Sequence, residues 1–205
     1  MTNFAEDDLL LNTGVSFPIA FERAEIRGTE VKMEAARWRR LSGFLSYAHM
    51  VGYGFSPVTG GLLLGEEAGA ALTSMERFSI SQDQRHTVRG RASYALSERA
   101  WIAVAGSYGS GLPVEFDEGE EEAVEQYGGR ILERVDLARR RVRPSASWDA
   151  SMSLIVVETE QRRLRLQANV TNVTNRLNVV NFAGLFSGTA LAPPRSFAIR
   201  IQADF

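Results

Sequence analysis

The last eleven residues, Arg195 to Phe205, alternate between two kinds of side chain. Phe197, Ile199, Ile201, Ala203 and Phe205 form one set; Ser196, Ala198, Arg200, Gln202 and Asp204 form the other. In a strand, successive side chains point to opposite faces. This segment therefore has one apolar face and one mostly polar face. A soluble barrel turns such an apolar face inward. A membrane barrel turns it outward to lipid and lines its lumen with the polar set. Eleven residues at about 3.3 Å each, tilted by about 45°, cover roughly 25 Å of height, which matches the apolar band of a membrane barrel.

Composition fits this and excludes the helical alternative. Of the 205 residues 44% are apolar and 23% charged. The apolar runs Leu9–Leu11 and Leu62–Leu64 fall far short of the roughly 18 residues a spanning helix needs. A net charge of -2 gives no reason to expect nucleic acid as a partner. The absence of cysteine discriminates little. Met1 to Asp8 is acidic and lacks the basic start and apolar stretch of an export signal. A membrane-barrel reading therefore expects a piece of a longer chain or a truncated gene.

The alternation recurs along the sequence. Residues 162–173 set Leu164, Leu166, Ala168 and Val170 against Arg163, Arg165, Gln167 and Asn169. Such a polar row is expensive in a dry core and natural in a wet lumen. Residues 147–157 set Trp148, Ala150, Met152, Leu154 and Val156 against Ser147, Asp149, Ser151 and Ser153. Similar strands are expected over 84–96, 100–108 and 24–36, and a less regular one, broken by Phe44, over 41–50. Connections near 37–40, 97–99 and 158–161 are short, whereas those near 51–83, 109–146 and 174–194 are long. Short and long alternate, as they do in up-and-down membrane barrels. The expected fold is all-β: an antiparallel up-and-down transmembrane β-barrel segment of about seven strands. An odd count leaves such a barrel incomplete. Residues 1–23 are expected to be an extracellular loop or strand remnant, and 24–205 the barrel portion.

Several segments resemble the C-terminal barrel of TonB-dependent outer-membrane receptors. They are Asp83-Gln84-Arg85-His86-Thr87, Tyr108-Gly109-Ser110-Gly111-Leu112-Pro113, Arg143-Pro144-Ser145 leading into Trp148-Asp149, and the box Asn169-Val170-Thr171-Asn172-Val173-Thr174-Asn175. Asn181 to Thr189 and Pro193-Pro194-Arg195 then lead into the last strand. That strand, ending on Phe205, resembles the terminal strand that the barrel assembly machinery of Gram-negative bacteria reads. The resemblance implies an outer-membrane location, contact with outer-membrane lipid, and energy-coupled uptake of a scarce ligand that the sequence does not identify. It also implies a plug domain, through which alone the TonB complex would be met; the plug is absent from this sequence. The assembly signal is assigned to Phe197, Ile199, Ile201, Ala203 and Phe205. A fragment of another outer-membrane barrel, a porin or adhesin, and a soluble lipocalin-like barrel are the alternatives.

No catalytic, cofactor or metal residues are assigned. His49 and His86 are the only histidines, and neither sits in a nucleophile motif or a ligand spacing. Trp38, Trp101 and Trp148 lie near strand ends, where membrane barrels place their aromatic girdles. Seven acidic residues between Glu115 and Glu125 are followed by Arg130, Arg134, Arg139, Arg140, Arg141 and Arg143. The expected arrangement is a solvated loop whose arms attract each other, with any helix interrupted at Gly128-Gly129.

Overall fold

The computed structural model describes residues 2–10, 15–60, 77–114, 120–184 and 188–204. Eight strands follow one another as an antiparallel meander: β1 (Thr2–Leu10), β2 (Val15–Trp38), β3 (Leu41–Gly60), β5 (His86–Ala95), β6 (Ala100–Gly109), β9 (Ser145–Glu158), β10 (Arg163–Thr171) and β13 (Ser196–Asp204). A short strand, β4 (Arg77–Ser79), pairs with the far part of β3. Among the described residues the sheet is open, with β1 at one end of the ladder and β13 at the other.

All seven strands expected from alternation are present, and two are longer than their pattern suggested. β2 begins at Val15 rather than residue 24, and β3 runs ten residues past Met50, into what reads as a loop. The two arms stay paired there, with Arg27 opposite Val51, Glu25 opposite Tyr53 and Arg23 opposite Phe55. Gly52 and Gly54 look like loop residues but serve the sheet. A Cβ on Gly52 would meet Ile80 at 2.5 Å, and one on Gly54 would meet the Phe78 ring at 2.6 Å. Glycine in a strand commonly marks such a close approach. Thr2–Leu10 forms a further strand on β2. The irregular Phe44 stays in register and lies on the polar face, where Lys32 sits 5.7 Å from its ring centre.

The short turns gather at one end of the sheet. Arg39 adopts a left-handed conformation (φ 58°) between β2 and β3. Arg40 donates from Nη1 to the Leu96 carbonyl at 3.0 Å, and Arg99 pairs with Glu158 at 3.4 Å, so neighbouring turns are tied together.

The long connections carry structure of their own at the opposite end. The connection after β6 holds α1 (Glu120–Tyr127), α2 (Gly129–Leu132) and the hairpin β7 (Val135–Asp136) with β8 (Arg141–Val142). The helix breaks at Gly128 (φ 80°), as its Gly-Gly pair predicts. The connection after β10 holds the hairpin β11 (Val179–Gly184) with β12 (Gly188–Leu191). Val114, Val135, Val142, Val179 and Phe182 pack into one small core, flanked by Tyr127, Ile131, Leu132 and Leu137.

Candidate functional site

The register carries the apolar positions straight across the sheet. Directly opposed residues share a face. One row runs Trp38, Leu41, Tyr94, Ile102, Met152, Ala168, Ile199. Towards the long connections, parallel rows hold Met33, Leu45 and Trp148, then Val31, Tyr47, Val88 and Tyr108. Towards the turns, Leu154, Leu166 and Ile201 form another. The other face carries Glu30, Lys32, Glu34, Arg89, Arg91, Asp149, Ser151, Gln167 and Arg200 among small residues.

Burial is inverted relative to a soluble protein. In the middle strands β6 and β9 the covered residues lie on the polar face: Ala103 is 6% exposed, Ser153 4% and Ile155, opposite Arg165, 8%. Their apolar neighbours Ile102 and Met152 are 42% and 56% exposed. The sheet thus wraps its polar face inward and presents its apolar face outward. On β13, Phe197, Ile199 and Ile201 are exposed on that outward face, and Ala203 follows them in register opposite Leu164. Phe205 lies outside the described residues.

The three tryptophans separate. Trp38 is exposed on the apolar face at the turn end. Trp148 is exposed on the same face at the opposite end, its ring lying over Gly106, where a Cβ would approach within 2.7 Å. Trp101 does not join them. It pairs with Ala95 and Ser153 and so belongs to the polar face. Its neighbour Ile102 carries the apolar alternation, and period two leaves Trp101 on the other side.

The loop end is held by a buried carboxylate that sequence reading overlooked. Asp83 is fully buried. Its Oδ1 accepts the Gly52 N–H at 3.0 Å, and its Oδ2 accepts from Arg85 Nε at 2.9 Å and from Arg141 Nη2. Arg141 also donates to the carbonyls of Asp83 and Gly111. One carboxylate therefore joins β3, the entry to β5 and the β8 hairpin. Arg85 has a pKa above the usual arginine value. Burial, the largest single influence, lowers it, but hydrogen bonds to Tyr53 and Asp83 outweigh that. Of the basic arm, Arg141 thus pairs with Asp83 of another connection, and Arg139 with Asp136 of its own hairpin. Part of the acidic arm, residues 115–119, lies outside the described residues. The signal available in sequence was only the polar pair Asp83 and Arg85 before a strand.

The Asn-Val-Thr-Asn box has a structural role. Asn172 is buried with a left-handed backbone (φ 47°). Its side chain accepts the Arg176 N–H at 3.1 Å and donates to the carbonyls of Arg176 and Pro193 at 2.9 and 3.2 Å. Asn178 grips Ala146 by both backbone groups. The polar groups at the exit of β10 and the entry of β9 are thereby satisfied.

Arg134 Nε and Nη2 are buried without a hydrogen-bond partner. Its pKa lies below the usual arginine value, through burial first and then the nearby Arg176 and Arg143, with Glu133 opposing. His49 and His86 come together at the loop end of the apolar face, ring centres 5.1 Å apart, with Tyr47 Oη 2.9 Å from His86 Nδ1. Among the described residues no group of three or more His, Cys, Asp or Glu is placed to hold a metal ion.

No family model and no curated protein sequence matches the chain. Among solved structures it is similar to the closed form of the ferric-catecholate import receptor Fiu from E. coli K12. The TM-score is 0.55 at 13% identity, over 97% of this chain and 23% of that receptor. The chain thus spans about a quarter of the receptor's length. At this identity the likeness shows the fold alone: an open, antiparallel up-and-down sheet like a piece of a β-barrel.

Proposed function

We propose that this chain forms the C-terminal part of an outer-membrane receptor barrel of the TonB-dependent type. The observation that carries the reading is the burial across β6 and β9: Ala103, Ser153 and Ile155 are covered on the inward face, while Ile102, Val104, Met152 and Leu154 stand exposed on the outward one. A soluble barrel of the lipocalin sort needs the reverse. An apolar face this extensive would be an aggregation hazard in water and is suited to lipid. The motif resemblance and the likeness to an import receptor favour the receptor class over a porin or adhesin.

In this reading the apolar face meets outer-membrane lipid and the polar face belongs to the lumen. The long connections form part of the ligand-facing mouth. The ligand is unassigned, and TonB coupling would run through a plug domain. Uptake belongs to a closed barrel; an open sheet encloses no pore. Transport, not catalysis, is the activity of the assembled receptor, and the part played by this chain is to supply wall and mouth.

The test is site-directed labelling in membranes. Single cysteines at Leu166, Met152 and Ile199 should be reached by a lipid-phase label, and those at Arg165, Ser151 and Arg200 by a water-soluble thiol reagent. The opposite assignment would sink the membrane reading. Removing Phe205 from a barrel that carries this sequence should lower its insertion into the outer membrane, measured as the heat-modifiable folded fraction, if the terminal strand is the assembly signal. Unchanged insertion would remove that role.

A further inference from the structure

Beyond the apolar belt the outward face changes character. After the Val31–Tyr47 row, the same face of β2 and β3 carries Thr29–His49, Arg27–Val51, Glu25–Tyr53 and Arg23–Phe55, with Arg77 of β4 opposite Phe55. Each residue on a strand is two positions from the last, so all remain on the belt's side. Together they frame a depression of about 600 Å³ lined by Glu25, Arg27, Thr29, His49, Tyr53 and Arg77.

Its charge is unbalanced. Glu25 serves both Arg23 and Arg27, each at 3.6 Å. Arg77 has no ion-pair partner among the described residues and lies 4.2 Å from the centre of the Tyr53 ring. Arg23 lies 4.2 Å from that of Phe55. Stacking on aromatic rings fixes the guanidinium planes while leaving their edges free to donate.

The height of this cluster decides what it meets. Trp38 marks the turn end of the belt, and Arg27 stands eleven residues along the same strand. That is about 36 Å of strand, or roughly 25 Å of height at a tilt of about 45°. Arg27 therefore emerges where hydrocarbon gives way to headgroups, facing the lipid side rather than the lumen.

We propose that this basic depression binds the phosphate of an anionic lipid headgroup in the leaflet on the long-connection side. The inference rests on the membrane reading above. Forked guanidinium donors match phosphate oxygens in pairs, and Thr29 and His49 line the same depression with further polar groups.

The test uses a complete barrel that carries this sequence, refolded from urea with phosphatidylcholine vesicles, with or without phosphatidic acid, and reads flotation. Arg27 and Arg77 are exposed, so R27Q and R77Q leave packing intact. Each should lose roughly fivefold in partitioning to phosphatidic acid vesicles and nothing to pure phosphatidylcholine. R89Q, on the polar face, should change neither. Equal partitioning of parent and both variants to the anionic vesicles overturns the site and leaves the membrane reading standing. Failure to float with either vesicle overturns both. If inorganic phosphate at the concentration of accessible lipid phosphate abolishes the preference, the site takes free phosphate and the lipid assignment falls.

Discussion

Asp83 is the side chain on which most of the loop end depends. It is fully buried and satisfies a backbone N–H and two guanidiniums. Removing one partner of a buried pair leaves the other charge uncompensated, at a cost of about 3 kcal/mol or more. Asp83→Ala should therefore loosen the connections around Arg85 and Arg141, read as faster amide exchange at Gly52 and Val142. Asp83→Asn keeps an acceptor for Gly52 and should be milder. Equal exchange in both variants and the parent would show that the carboxylate holds nothing together. The turn residues act through backbone shape instead: Asn172 and Asn175 adopt left-handed conformations that asparagine tolerates better than most residues.

At the scale of elements, the molecule has two separable kinds of stability. The meander is held by ladder hydrogen bonds between long strands. The loop cap is held by a small hydrophobic core, with Phe182 fully buried and Tyr127 edge-on to it at 4.7 Å. Phe182→Ala should cost the cap about 3–5 kcal/mol. Amide protection in α1, α2 and β7 should fall while that of β10 remains. A uniform loss across cap and meander would show that the two fold as one unit. The same separation explains why β2 and β3 continue past the apolar belt: pairing alone extends them, and β4 with Phe78 and Ile80 covers one side of the extension.

For the whole molecule, the geometry places the three long connections at one end of the sheet. Asp83 reaches Arg141, Phe182 packs with Val142, and Asn178 holds Ala146. In a membrane this end should lie wholly on one side. Epitope tags within 61–76, 115–119 and 185–187 of a barrel carrying this sequence should all be reachable on intact cells. A tag seen only after permeabilisation would break the topology. In plain buffer, the exposed apolar face and the open edges of the ladder make the isolated chain prone to aggregate. A monodisperse, compact monomer there would revive the soluble-barrel alternative.

The sequence by itself determined seven strands of the meander, their two faces and the order of short and long connections. These are local properties: period two fixes which side chains share a face, and turn length fixes which strands are neighbours. It also placed the helix break at Gly128, because glycine needs no partner to end a helix. It did not determine which way the sheet curves, and so which face is covered. That emerged only from burial across β6 and β9, since the same alternation serves a soluble and a membrane barrel. Nor could it foresee the extension of β2 and β3, whose later residues are held by pairing rather than by an apolar pattern. The place of Trp101 follows from the alternation rather than from its nearness to a strand end: period two sets it on the polar face, opposite Ala95 and Ser153. The Asp83–Arg141 tie and the shared core of Val114, Val142 and Phe182 join residues far apart in sequence. Contacts of that range leave no local signal, and only the tertiary structure decides them.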